Sequence, residues 1–168
     1  MFGKISKPTP EELEELRNIA SFQFRGVGKE FITKDVYVVR SPKTYRIRAI
    51  ILDNRILATV RASDYRLLLR IYGGLRLNKI LDKPFMRVMV SNKYAKFIID
   101  GGNVFAPHIL FMDPEIRPHE EVLVVDEDWN LIAVGKAILP GWIATLFNRG
   151  EVVRVRESIG RVKEECLA

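Results

Sequence analysis

Leu13, Leu16, Ala20 and Phe24 recur every three or four positions, with Ile19 beside them, and the positions between are polar apart from Phe22. That period predicts an amphipathic helix with one stripe facing a core. Its start is written in Thr9-Pro10-Glu11-Glu12: an N-cap threonine, a proline in the first turn and a glutamate placed to close a capping box. Gly26 and Gly28 stop it. The pattern then becomes that of strands. Val36 to Val39 is β-branched and aromatic, and Tyr45 to Leu52 and Arg55 to Ala62 flank Asp53-Asn54, a compact hairpin signal. Tyr65 to Ile71 reads as a further strand, with Arg66 and Arg70 on one face and Leu67, Leu69 and Ile71 on the other. The Gly73-Gly74 pair is expected to break it, and Leu75 to Leu81 to form a short helix.

Asp82-Lys83-Pro84 is polar, contains proline and marks the clearest boundary. Beyond it Met86 to Val90 reads as a strand and Asn92 to Ile99 as a short helix turning Tyr94, Phe97 and Ile98 inward, ended by Asp100-Gly101-Gly102-Asn103. Val104 to Met112, Glu121 to Val125, Leu131 to Leu139 and Val152 to Arg156 follow as strands, with a helical turn near Trp142 to Phe147. Five or six short strands at this spacing predict a small closed barrel. No repeat of fixed period is visible. The expected class is α+β: a small α/β domain over residues 1–83, a β-barrel over 84–157 and a tail over 158–168.

Composition narrows the class. With 168 residues, 48% of them hydrophobic and 29% charged, the chain can bury a real core in one medium domain or two small ones. A disordered chain, a collagen and a disulfide scaffold are excluded. The one cysteine, Cys166, rules out an internal disulfide and a cysteine-rich zinc site. Apolar runs fall far short of a membrane span and no signal peptide opens the sequence, so a cytoplasmic protein is expected. Charge is uneven. From Met1 to Lys83, 17 Lys and Arg face 9 Asp and Glu, a balance of +8; the remaining 10 against 12 give −2. Between Arg40 and Arg70 eight bases face only Asp53 and Asp64. Such a half suits either a polyanionic partner or a solvated surface laced with ion pairs.

Signals for catalysis are absent. His108 and His119 lack a partner at metal-helix spacing and read as surface or strand-end residues. Asp126, Asp128 and Asn130 alternate like calcium ligands, but Leu131 and Ala137 stand where the turn glycine and the closing glutamate belong. Gly101-Gly102 follows a helix instead of preceding one, which is the order of a C-cap and not of a phosphate loop. No metal or cofactor is expected, and no enzyme activity. A binding surface remains. Arg46 and Arg48 share a strand face, and Arg61, Arg66 and Arg70 lie on the same side if registers permit. Guanidinium groups spaced along a sheet suit a phosphate backbone. Tyr45, Tyr65 and Tyr72 are available either to stack on unpaired bases or to fill a core.

Gly102-Asn103-Val104-Phe105-Ala106, the run Ile116 to Asp126, Ala133-Val134-Gly135-Lys136-Ala137 and Arg149 to Arg156 together resemble a PUA domain, the RNA-binding barrel of pseudouridine synthases and archaeosine transglycosylases. Ala20 to Phe24, Val39 to Thr44 and Leu57 to Asp64 resemble the domain that precedes PUA in archaeal tRNA-guanine transglycosylases, whose chemistry resides in a separate upstream barrel. The resemblance implies a small α/β pre-PUA domain followed by a PUA-type barrel, of archaeal origin. It implies RNA contacts at Lys93, Lys96, Gly102, Asn103, Val104, Phe105 and Arg154. Arg46, Arg48 and Arg61 are added from the basic face. The expected function is gripping structured RNA, tRNA first and rRNA second, as an accessory to RNA modification or translation. The alternative is a protein–protein scaffold joined to a catalytic RNA-modification or ribosomal partner, for which exposure of Trp129 and Trp142 would speak.

Overall fold

The computed structural model describes residues 3–163. Cys166 and the end of the expected tail lie outside the described residues. The chain divides into two compact units, residues 3–81 and 82–163 among those described. In neither is a helix long and apolar enough to cross a membrane.

The first unit contains β1 (Lys4–Ser6), α1 (Pro10–Gln23), α2 (Gly28–Phe31), β2 (Tyr37–Arg40), β3 (Ile47–Leu52), β4 (Arg55–Val60), β5 (Leu67–Leu69) and α3 (Ile71–Ile80). The capping box forms: the Thr9 side chain accepts from the Glu12 amide at 3.2 Å, and the Glu12 carboxylate accepts from the Thr9 amide at 2.8 Å. Glu12 also takes a two-pronged contact from Arg40, fastening α1 to β2 and holding the carboxyl below its ordinary range. The strands pair antiparallel in the order β1-β2-β3-β4-β5. Asp53 and Asn54 take positive φ values at the hairpin turn, as a two-residue connection requires.

Two sequence expectations fail here. Gly73 and Gly74 do not break the chain but lie buried inside α3. A Cβ on Gly73 would stand 1.9 Å from the Leu57 carbonyl oxygen, so glycine is what lets α3 lie directly on β4. The strand expected over Tyr65 to Ile71 is cut to Leu67–Leu69, because Ile71 already opens α3. Arg70 becomes the buried N-cap of that helix and leaves the arginine face.

The second unit contains β6 (Arg87–Val90), α4 (Asn92–Ile99), β7 (Val104–Phe105), a 3-10 turn (Ala106–His108), β8 (Ile109–Met112), β9 (Glu121–Val125), β10 (Leu131–Ala137), α5 (Gly141–Ala144) and β11 (Glu151–Ser158). Its sheet runs β7-β11-β10-β9-β6-β8 and curls into a nearly closed barrel around Val88, Val90, Ile98, Val122, Val124, Ile132 and Val153. The strand expected from Val104 to Met112 is split where Pro107 enters the 3-10 turn. Fully buried Arg87 donates to the carbonyls of Asp82 and Phe85, and the Glu121 carboxylate grips Arg156. Of the residues expected to face inward from α4, Ile98 does; Phe97 is half exposed and Tyr94 partly buried. Of the two tryptophans whose exposure would speak for a scaffold, Trp142 is exposed and Trp129 is partly buried.

Candidate nucleic-acid interface

In the second unit the candidate site forms around the end of α4. At the start of this helix Ser91 accepts from the Lys93 amide, and the Glu127 carboxylate accepts from the Asn92 amide at 2.9 Å. A carboxylate thus already occupies the positive end of the helix. The other end opens toward solvent. The Gly101 amide donates to Ile98 and the Gly102 amide to Phe97, with Gly101 in the left-handed region at φ +104°. Phe97 lies across Gly102: a Cβ there would meet the ring at 2.4 Å.

His108 stands among three aromatic rings. Tyr94, Phe97 and Phe105 have centroids 4.5, 5.6 and 5.7 Å from its own. Its Nδ1 accepts the Phe105 amide proton at 3.1 Å, which leaves the ring proton on Nε2. Burial among the rings pushes its pKa below the ordinary histidine value, so the ring is neutral at pH 7. Lys93 and Lys96 are exposed on the same helix, the Lys93 ammonium 5.5 Å from the Tyr94 ring centre. Flat apolar rings beside lysines and a neutral imidazole donor can stack on bases and meet phosphates.

In the first unit Arg48 and Arg61 line one groove of about 460 Å³ together with Ser41, Pro42, Thr59 and Leu68. Strand alternation would turn Arg48 and Ala49 to opposite faces; a bulge where β2 meets β3 opposes an extra residue and turns Arg48 into the groove. Arg61 is clamped by Asp64, whose carboxyl that guanidinium holds down at about 2. Arg46 lies outside the groove lining, just before β3. Arg46 and Arg48 make no ion pair among the described residues.

Residues 14–84 match the family described as the patch-forming domain C2 of tRNA-guanine transglycosylase, and residues 86–159 match the PUA domain. The chain carries a C2 domain followed by a PUA domain. It is homologous to the C-terminal part of archaeal tRNA-guanine(15) transglycosylases: 42% identical over 157 residues to the protein of Pyrococcus abyssi, covering 92% of this chain and 26% of that one. The Methanothermobacter thermautotrophicus protein is 38% identical over 150 residues, covering 89% and 23%. The chain thus spans about a quarter of the length of these curated relatives. A solved structure of a hypothetical protein from Pyrococcus horikoshii superposes with TM-score 0.73 at 21% identity, covering 92% of this chain and 94% of that one. A conserved PUA domain protein from Thermoplasma acidophilum gives 0.69 at 18%, covering 94% and 95%. These two likenesses show the fold.

PUA domains typically bind RNA, and within this one the residues expected from sequence divide into two groups. Lys93, Lys96, Gly102 and Phe105 surround the aromatic cluster or flank it on α4. Val104 is fully buried, so its backbone alone could meet a ligand. The Asn103 side chain is turned to the protein, accepting the Val155 amide at 3.0 Å and tying the loop to β11. Arg154 is exposed but paired with Glu151 at 3.0 Å. Sequence reasoning missed His108, Tyr94 and Phe97 as site residues, and also Arg161, whose side chain packs 3.3 Å from where a Gly101 Cβ would stand. The usable signal was aromatic spacing: Tyr94 and Phe97 are one helical turn apart, and His108 is three residues beyond Phe105 across a proline turn.

Proposed function

We propose that this protein grips structured RNA, tRNA first and rRNA second, as a non-catalytic accessory to RNA modification or translation. The observation that carries the reading is the ring cluster of Tyr94, Phe97, Phe105 and His108, set beside Lys93 and Lys96 at a glycine loop that admits close approach. Homology to enzymes named for tRNA favours tRNA over rRNA. The C2 domain adds the two unpaired guanidinium groups of Arg46 and Arg48. Fluorescence anisotropy with bulk tRNA, intact or trimmed of its 3′ single strand, at two salt concentrations tests this. Submicromolar, salt-dependent binding that weakens on trimming is expected, and Phe105→Ala should weaken it similarly. Binding that survives both changes would move the site to the C2 domain; no binding at low salt would overturn the RNA reading.

A specific observation favours a second reading, a scaffold for a catalytic RNA-modification partner: Trp142, Leu146 and Phe147 are all exposed within one short stretch of the PUA domain. That reading predicts weak, sequence-blind RNA affinity.

A further inference from the structure

The C2 domain carries two hairpin loops built on one plan. In the β2–β3 loop the Ser41 amide donates to the Arg46 carbonyl and the Tyr45 amide to the Ser41 carbonyl, each at 2.9 Å. In the β4–β5 loop the Arg61 amide donates to the Arg66 carbonyl and the Tyr65 amide to the Arg61 carbonyl, again at 2.9 Å. Both loops end in Tyr-Arg, and both tyrosines are held left-handed, at φ 58° and 60°. Because β2 to β5 form an antiparallel meander, the two loops emerge from the same end of the sheet. Two strand spacings separate them, about 10 Å. The groove holding Arg48 and Arg61 is rimmed by Ser41 and Pro42 of one loop and Ala62 after the other's first residue.

This position in a hairpin normally takes glycine or asparagine, since a Cβ is strained there. Among the other bulky left-handed residues Met86 is buried and Trp129 lies against Phe111, whereas His119, at φ 71°, is exposed as the two tyrosines are. Tyr45 is 71% exposed and Tyr65 40%, and neither side chain makes a hydrogen bond, ring contact or cation contact among the described residues. Arg46 and Arg66, which follow them, hold no ion pair through their side chains. What sets the two tyrosines apart is their pairing: the same strained aromatic stands at the same position of two loops at one end of the sheet, which points to a shared ligand. An aromatic residue followed by an arginine, presented twice at the end of the sheet where the groove of Arg48 opens, with Arg46 unpaired and Arg66 facing the Asp64 carboxylate of its own loop, matches the alternation of base and phosphate in an unpaired nucleic-acid strand.

We propose that Tyr45 and Tyr65 form a twin stacking platform for two unpaired bases of an RNA strand, whose intervening phosphates meet Arg46, Arg66 and Arg48. This deepens the RNA-binding reading and rests on it. The test uses the full chain, fluorescein-labelled decauridylate, and polyglutamate of matched charge as a base-free polyanion. The double substitution Tyr45→Asn with Tyr65→Asn keeps the left-handed turns at lower strain, so its melting temperature should not fall. Its affinity for decauridylate should drop tenfold or more, while that for polyglutamate stays unchanged. Tyr45→Phe with Tyr65→Phe, which keeps the rings, should bind as the parent does. A 5-bromouridine decamer should photo-crosslink to the peptides holding Tyr45 and Tyr65. If the asparagine pair binds decauridylate like the parent, or polyglutamate binds the parent equally well, the platform is refuted and the RNA reading stands on its tRNA result. If the parent binds neither decauridylate nor tRNA, both fall.

Discussion

His108 sets the chemistry of the PUA cluster through one hydrogen bond and its burial. Its neutral ring accepts the Phe105 amide and sits among three aromatic side chains, which depress its pKa. In the unfolded chain the same imidazole takes a proton near the ordinary value of about 6.5. The unfolded state therefore binds more protons as pH falls through that value, and the folded state is disfavoured until its own lower pKa is passed. Stability contributed by neutral His108 is present above about pH 6.5 and is lost below it. Melting temperatures at pH 7.5 and 5.5 should show a drop that is smaller in His108→Gln, whose amide oxygen can still accept the Phe105 bond. Equal drops in parent and variant would show that His108 does not govern this dependence.

At the scale of elements, the close seat of α3 on β4 decides how the C2 sheet is covered. Gly73 makes it possible, and the obstacle to any side chain is backbone, the Leu57 carbonyl, which cannot swing aside. Gly73→Ala should cost about 3 kcal/mol, the upper end for overpacking a tight contact, despite the gain in helix propensity. Urea denaturation measures it, and a stabilised variant would mean that α3 slides easily. Gly102 differs. A Cβ there meets the far edge of the half-exposed Phe97 ring, which can move, so Gly102→Ala perturbs the ring cluster more than the fold.

For the whole molecule the measure is salt. If about five phosphates are neutralised, a fourfold rise in salt weakens binding by roughly two to three decades. The arginines do not contribute equally. Arg48 is unpaired, whereas Arg61 already faces the Asp64 carboxylate, which stays ionised at any working pH. Arg48→Gln should reduce the slope of log affinity against log salt by about one unit. Arg61→Gln should change it less, since it also frees Asp64 to repel phosphate. Isothermal titration with tRNA at four salt concentrations resolves the two; equal effects would remove the distinction drawn from the ion pair.

Local chemistry made much of this legible in the sequence. The capping box at Thr9 and Glu12, the Asp53-Asn54 turn, the glycine stop after Ile99 and the short apolar runs that became barrel strands each depend on neighbours within a few residues. The same holds for the basic bias of the first half and the motifs that resembled PUA and its preceding domain. What tertiary structure decided involves residues distant in sequence. Gly73 read as a breaker because nothing near it announces the Leu57 carbonyl. Arg70 fitted the basic face until the start of α3 claimed it, and Arg61 counted as free charge until the hairpin closed on Asp64. His108 joined the site only when the 3-10 turn brought it back against α4. Two Tyr-Arg pairs became a single surface because an antiparallel meander returns alternate loops to the same end of a sheet.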